Sequence, residues 1–137
     1  MSDVGVLVIA HGSIDPKWPE LVRESLPLVE LGRPAALGFL EEVPEQTIQH
    51  AVDQLEEAAV KHIIAVPLFI SSASVDAEEA RFLLGLTDNF PKEGERPARI
   101  RVQTPITWTQ AIDDAPVIGR AVADRALELT DDPQCDA

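Results

Sequence analysis

The chain carries three short stretches whose residue types suit metal binding or proton transfer. His11, Gly12 and Ser13 directly follow the branched apolar run from Val4 to Ala10. An imidazole there can bond a loop carbonyl, the ordinary fate of an isolated histidine. It can also act as a metal ligand or as a proton acceptor that titrates near neutrality. Gly12 beside it admits a close approach by backbone or ligand. Glu41 and Glu42 end a second apolar run, "PAALGFL". They suit solvated loop acids or charges at the start of the next helix. A carboxylate facing His11 would instead complete a nitrogen and oxygen set for a borderline divalent metal. Only one of the pair can easily turn inward, and Glu41 is preferred. Ser71, Ser72 and Ser74 follow a third apolar run. They can cap the helix after them or offer donors to the carboxylates of a substrate.

The elements around these stretches explain why they belong together. Val4 to Ala10 reads as a strand buried on both faces. Pro19 suits the first turn of a helix running towards Val29, and Pro34 to Leu40 gives a second strand. Ile48, Ala51, Val52, Leu55 and Ala59 recur at spacings of three and four, the stripe of an amphipathic helix. His62 to Ile70 is the strongest strand, with Pro67 predicting a bulge or an unpaired edge. A helix over 75–86, a strand over 98–106 and a helix over 116–129 complete the pattern. Alternation of this kind predicts an α/β fold: one domain over 1–130, a four-stranded parallel sheet with helices on both faces, and a polar tail over 131–137. In such sheets ligands collect outside the carboxyl ends of the strands. That edge would carry His11, Gly12 and Ser13, then Glu41 and Glu42, then the serines, then Thr107, Trp108 and Thr109.

Composition narrows the function. Net charge is −13, with 24 acidic residues against 11 basic ones, so the chain repels phosphate backbones and anionic lipid surfaces. Neither nucleic acid nor membrane is an expected partner. No apolar run approaches the roughly 18 residues that cross a bilayer, no secretory leader is evident, and the single cysteine, Cys135, can form no internal disulfide. A reducing, cytoplasmic setting is the default expectation. His50 and His62 are poor ligand candidates, the first on a helix and the second at the wrong end of its strand. Neither a P-loop nor GxGxxG is present, and a flavin-binding reading with Trp18 or Trp108 on the ring lacks the phosphate-cradling first loop.

The motifs "VLVIAHGSIDP", "LGFLEEVPEQTIQHAVDQL", "IIAVPLFISS" and "ITWTQAIDDAPVIGRAVADRALEL" resemble the class II, CbiX-type chelatases in their short form, the sirohydrochlorin cobaltochelatase and ferrochelatase family. The resemblance spans Val4 to Leu129 in register. It implies a lyase that inserts Co²⁺, Fe²⁺ or Ni²⁺, as substrate, into sirohydrochlorin, a polycarboxylated tetrapyrrole, on routes to cobalamin, sirohaem or a nickel cofactor. It further implies a homodimer and no organic cofactor. The family's first metal-binding histidine falls on His11 and its acidic residue after the second strand on Glu41. Gly12, Ser13, Ser71, Ser72 and Ser74 are then expected at the substrate, and Lys17, Arg23 and Arg81 are the cations available to its carboxylates.

Two positions depart from the pattern. Many relatives have histidine within the serine-rich loop, where this chain has Ala73, and again before the last helix, where it has Ala115. Alanine has no lone pair, so a two-histidine metal site cannot form in this chain. The expectation is therefore a chelatase impaired or inactivated by those alanines, with a non-catalytic tetrapyrrole-binding relative or partner subunit as the alternative. Insertion by His11, a carboxylate and water alone ranks behind loss of activity.

Overall fold

The computed structural model describes residues 3–25, 32–69 and 74–110, with 120, 123–124 and 126–128 near the C-terminus. Its elements run β1 (Val4–Ala10), α1 (Lys17–Ser25), β2 (Ala35–Phe39), α2 (Ile48–Glu57), β3 (His62–Pro67), α3 (Val75–Leu83) and β4 (Ile106–Trp108). All strand pairs are parallel, in the order β2-β1-β3-β4. The predicted four-stranded parallel α/β sheet is what forms. The chain leaves β1 for β2 on one side and then crosses to β3 on the other, which places the point where strand order reverses at the end of β1.

Burial follows the pleat. Leu7 and Ile9 project to one face and pack with Ile48, Ala51, Val52 and Leu55 of α2 and Ala77 and Ala80 of α3. Val8 and Ala10 project to the other face, where Val22 of α1, Leu37, Phe39 and Val43 cover them. Because β1 is buried on both sides, it tolerates no alternation and reads as a continuous apolar run.

Two expectations need correcting, and a third finds its reason. The α2 stripe holds through Leu55, but Ala59 is exposed and lies past the helix end at φ +60. Pro67, the last residue of β3, stays in register opposite Ile9 of β1, while β4 pairs only with Ile63–Ala65, so the missing N–H falls on the side that β4 does not reach, in keeping with the expected unpaired edge. The fourth strand does not run over 98–106. It is confined to Ile106–Trp108, because side chains of α2 have taken the preceding backbone. Gln49 accepts from the Arg101 N–H at 2.8 Å and donates to its carbonyl at 3.0 Å, as a neighbouring strand would. Glu56 accepts from the N–H groups of Gln103 and Thr104 at 2.9 and 3.1 Å and from the Thr104 hydroxyl at 2.8 Å. The predicted helix over 116–129 lies mostly outside the described residues; those described within it are helical.

These bonds, that from Gln103 foremost, hold the Glu56 carboxyl below its ordinary value of 4.5. A carboxylate with a depressed folded-state pKa contributes stability above its unfolded value and loses it as pH falls through the folded one. Acidification below pH 4.5 should therefore loosen residues 101–105, and Glu56→Gln should flatten that pH dependence. The urea midpoints of parent and variant, compared from neutral to acid pH, check this; parallel curves would contradict it.

Candidate functional site

His11 leaves β1 at its carboxyl end, and Gly12 is buried immediately behind it. No side chain fits at residue 12: an ideal Cβ there would lie 1.7 Å from the carbonyl oxygen of Glu41. The glycine thus permits the β1 turn and the segment after β2 to touch backbone to backbone. Leu40 N–H donating to the Ala10 carbonyl at 2.8 Å ties the same two segments. Trp18, in the first turn of α1, donates its indole N–H to the His11 carbonyl at 2.7 Å. The turn is held from both sides.

The two nitrogens of the imidazole face different partners. Its Nδ1 lies 2.6 Å from the Gly12 carbonyl oxygen. A carbonyl only accepts, so Nδ1 bears a proton and Nε2 is the nitrogen turned outward. Nε2 faces Glu41 Oε1 at 3.3 Å. A nitrogen and a carboxylate oxygen at such a distance share a proton or a cation. Both side chains are a little under half exposed, at 45% and 40%, so either can arrive from solvent.

A third group, absent from the sequence-derived set, joins them. Asp76 Oδ1 stands 3.9 Å from His11 Nε2, and one donor atom from each of His11, Glu41 and Asp76 falls within 4.8 Å of the others. Asp76 lies in the first turn of α3, whose N-cap is Ser74; the serine hydroxyl accepts from the Ala77 N–H at 3.1 Å. An acid in that position ordinarily reads as a charge complementing the helix dipole, which is why spacing alone does not single it out. Its one available signal is position: α3 follows β3 and therefore starts at the sheet edge that carries His11.

The surroundings are a cleft and a cation. An open cleft of about 510 Å³ is lined by His11, Gly12, Ser13, Asp15 and Trp18, within the roughly 300–1,000 Å³ usual for small-molecule sites. Lys92 bonds the mostly buried Glu79 at 2.6 Å. That hydrogen bond foremost, against the opposing effect of burial, raises the ammonium above its ordinary value of 10.5; the charges of Glu79, Glu41 and Asp76 add to it.

The remaining expected residues divide. Ser13 lines the cleft and accepts from the Asp15 N–H at 3.1 Å, whereas Ser74 is engaged as a helix cap. Ser71, Ser72, Ala73 and Ala115 lie outside the described residues. Glu42 sits at φ +69. His50 is in the first turn of α2 rather than mid-helix, and its ring closes a capping box with Thr47. His62 bonds the Thr107 hydroxyl at 2.6 Å. This draws Thr107 towards the amino end of β3 and removes it from the expected edge. Of the three cations, Arg23 is engaged by Gln46 at 2.5 Å and Glu45 at 3.8 Å, and Arg81 by Glu78 at 2.9 Å. Lys17 makes no ion pair among the described residues.

Comparison with known proteins agrees with this layout. The chain is 29% identical over 132 residues to a sirohydrochlorin cobaltochelatase of Methanococcoides burtonii, covering 92% of this chain and 96% of that one. It is 28% identical over 133 residues to a sirohydrochlorin cobaltochelatase of Sulfolobus acidocaldarius, covering 92% and 94%. A solved structure of a CbiX protein of cobalamin (vitamin B12) biosynthesis from Marinobacter aquaeolei superposes with a TM-score of 0.67 at 22% identity, over 91% of this chain and 95% of that one; it shares the fold. The CbiX family model matches residues 5–129, nearly the whole of the folded region, and the chain belongs to the CbiX family.

Proposed function

We propose that this protein inserts a divalent metal, with Co²⁺ the first choice over Fe²⁺ or Ni²⁺, into sirohydrochlorin or a close tetrapyrrole relative. The observation that carries this reading is the facing pair His11 Nε2 and Glu41 Oε1, 3.3 Å apart beside the cleft. The names of the two curated relatives supply the substrate class.

The reaction sets what the residues must do. A free-base macrocycle carries two pyrrole N–H bonds. As M²⁺ enters, both bonds break, nitrogen lone pairs bind the metal, and two protons leave, so charge is conserved. His11 and Glu41 hold the metal first, through the imidazole Nε2 and a carboxylate oxygen. When the ring takes the metal those atoms are released, and the same two groups can accept the departing protons. Trp18 offers an apolar wall for the macrocycle, and exposed Ile14 extends it at the rim. Gly12, Ser13 and the serine loop form the rest of the substrate contact in this proposal, and Lys17 is the cation left for a carboxylate. The homodimer and the cytoplasmic setting belong to the same proposal. Among the described residues no helix is long and apolar enough to cross a membrane.

The test is anaerobic mixing of purified protein with sirohydrochlorin and Co²⁺, following the absorbance change of metallation against a protein-free control. A rate above the control is expected, and Ala73→His should not be required for it. Ring binding without metallation, cured by Ala73→His, would favour the carrier or partner-subunit reading. No ring binding by either form would remove the tetrapyrrole from consideration.

A further inference from the structure

We infer that Asp76 is a third metal-binding residue, so that this chain holds its metal with His11, Glu41 and Asp76 and does not depend on a second histidine. The inference deepens the proposed function and rests on that reading for the metal's destination, though not for its binding.

The geometry carries it. Three residues from three separate parts of the chain, one after β1, one after β2 and one in the first turn of α3, converge their donor atoms within 4.8 Å. The Gly12 carbonyl occupies Nδ1, so Nε2 is the ring nitrogen turned towards the two carboxylates. Lys92, the cation whose charge reaches both carboxylates, is bonded to Glu79. Convergence of an imidazole nitrogen and two carboxylates from three parts of the chain is an arrangement that a small divalent cation satisfies.

The distances suit one as well. Ligand bonds of about 2.0–2.2 Å place neighbouring donors roughly 3.0–3.5 Å apart. The His11–Glu41 separation of 3.3 Å lies in that range, and Asp76 stands just beyond it at 3.9 Å from His11 Nε2. A set of one imidazole and two carboxylates matches metals of borderline character. Three protein donors on one side leave the opposite side open, where water would sit until ring nitrogens replace it. Asp76 is half-exposed and lies three residues after Ala73 in the sequence, in the first turn of α3.

The test uses the metal alone. Co²⁺ is titrated anaerobically into the intact chain without tetrapyrrole, following visible d–d absorption and equilibrium dialysis, for the parent, Asp76→Asn, Asp76→Glu and Glu78→Gln. Even outer-sphere partners of a metal change affinity by about 10–100-fold, so Asp76→Asn should weaken Co²⁺ at least about 10-fold and alter the d–d spectrum. Asp76→Glu should recover most of the affinity. Glu78→Gln, which removes the same charge from the same helix turn, should change it by less than about 3-fold and leave the spectrum alone. Circular dichroism on each variant guards against misfolding, and Asp76→Glu keeps the test decisive if the asparagine variant fails to fold. Equal weakening by Asp76→Asn and Glu78→Gln, or parent-like binding by Asp76→Asn, overturns the inference, as does a parent that binds no Co²⁺. Metallation that proceeds independently of Asp76 defeats the inference and spares the proposed function. Asp76-dependent Co²⁺ binding without any metallation does the reverse.

Discussion

His11→Ala should reduce the rate of Co²⁺ insertion by at least about 100-fold, the low end of what a positioned proton acceptor contributes, while leaving the fold in place. The side chain is 45% exposed, and its Nδ1 bond to the adjacent Gly12 carbonyl is a local contact worth about 1 kcal/mol. Its removal leaves two carboxylates, Glu41 and Asp76, without the nitrogen donor that pairs with each of them at 3.3 and 3.9 Å. Metal binding and deprotonation then fail together, because one lone pair serves both. Initial rates of metallation and thermal melting of the same preparations check the two halves of the expectation. A variant that metallates within about 3-fold of the parent would show that His11 is a structural cap and that the chemistry lies elsewhere.

Gly12→Ala should be the most damaging added methyl among the described glycines. The new Cβ would meet the Glu41 carbonyl oxygen at 1.7 Å and its carbon at 2.9 Å, both backbone atoms that no rotamer change can move. Relief requires the β1 turn to part from the segment after β2, against the Leu40–Ala10 hydrogen bond. Overpacking of this kind costs about 3 kcal/mol or more, and the parting would also pull Glu41 away from His11. Gly5→Ala is the natural comparison. Its Cβ would meet only side-chain methyls of Val60 and Leu55 at 3.0–3.3 Å, which can adjust, so it should cost far less. Urea midpoints for the two variants provide the check. A Gly12→Ala protein as stable as Gly5→Ala, or one with undiminished metallation, would contradict the contact.

Both expectations concern a site that pattern reading reaches only in part. β1 and β3 are legible because parallel strands covered on both faces leave near-continuous apolar runs, and α2 because Ile48, Ala51, Val52 and Leu55 form its buried stripe. His11 and Glu41 follow from strand ends alone. Asp76 does not, since an acid at a helix start has an ordinary electrostatic explanation and nothing in its spacing speaks of His11. The fourth strand is misplaced for a different reason. Residues 98–105 have strand-like alternation, yet Gln49 and Glu56 satisfy their backbone from a helix about fifty residues earlier. A side chain that imitates a strand partner leaves no trace in local sequence.

The separation between what folds this molecule and what lines its rim has a consequence for how such a protein changes over generations. Leu7, Ile9, Ile63 and Leu55 are sealed inside and fix the scaffold; His11, Glu41 and Asp76 hang from three connections at one edge and stay partly wet. Drift at the rim is therefore cheap in stability. A side chain at the rim can be exchanged with the sheet beneath unaware of it, whereas Gly12, where rim and scaffold meet backbone to backbone, answers to both.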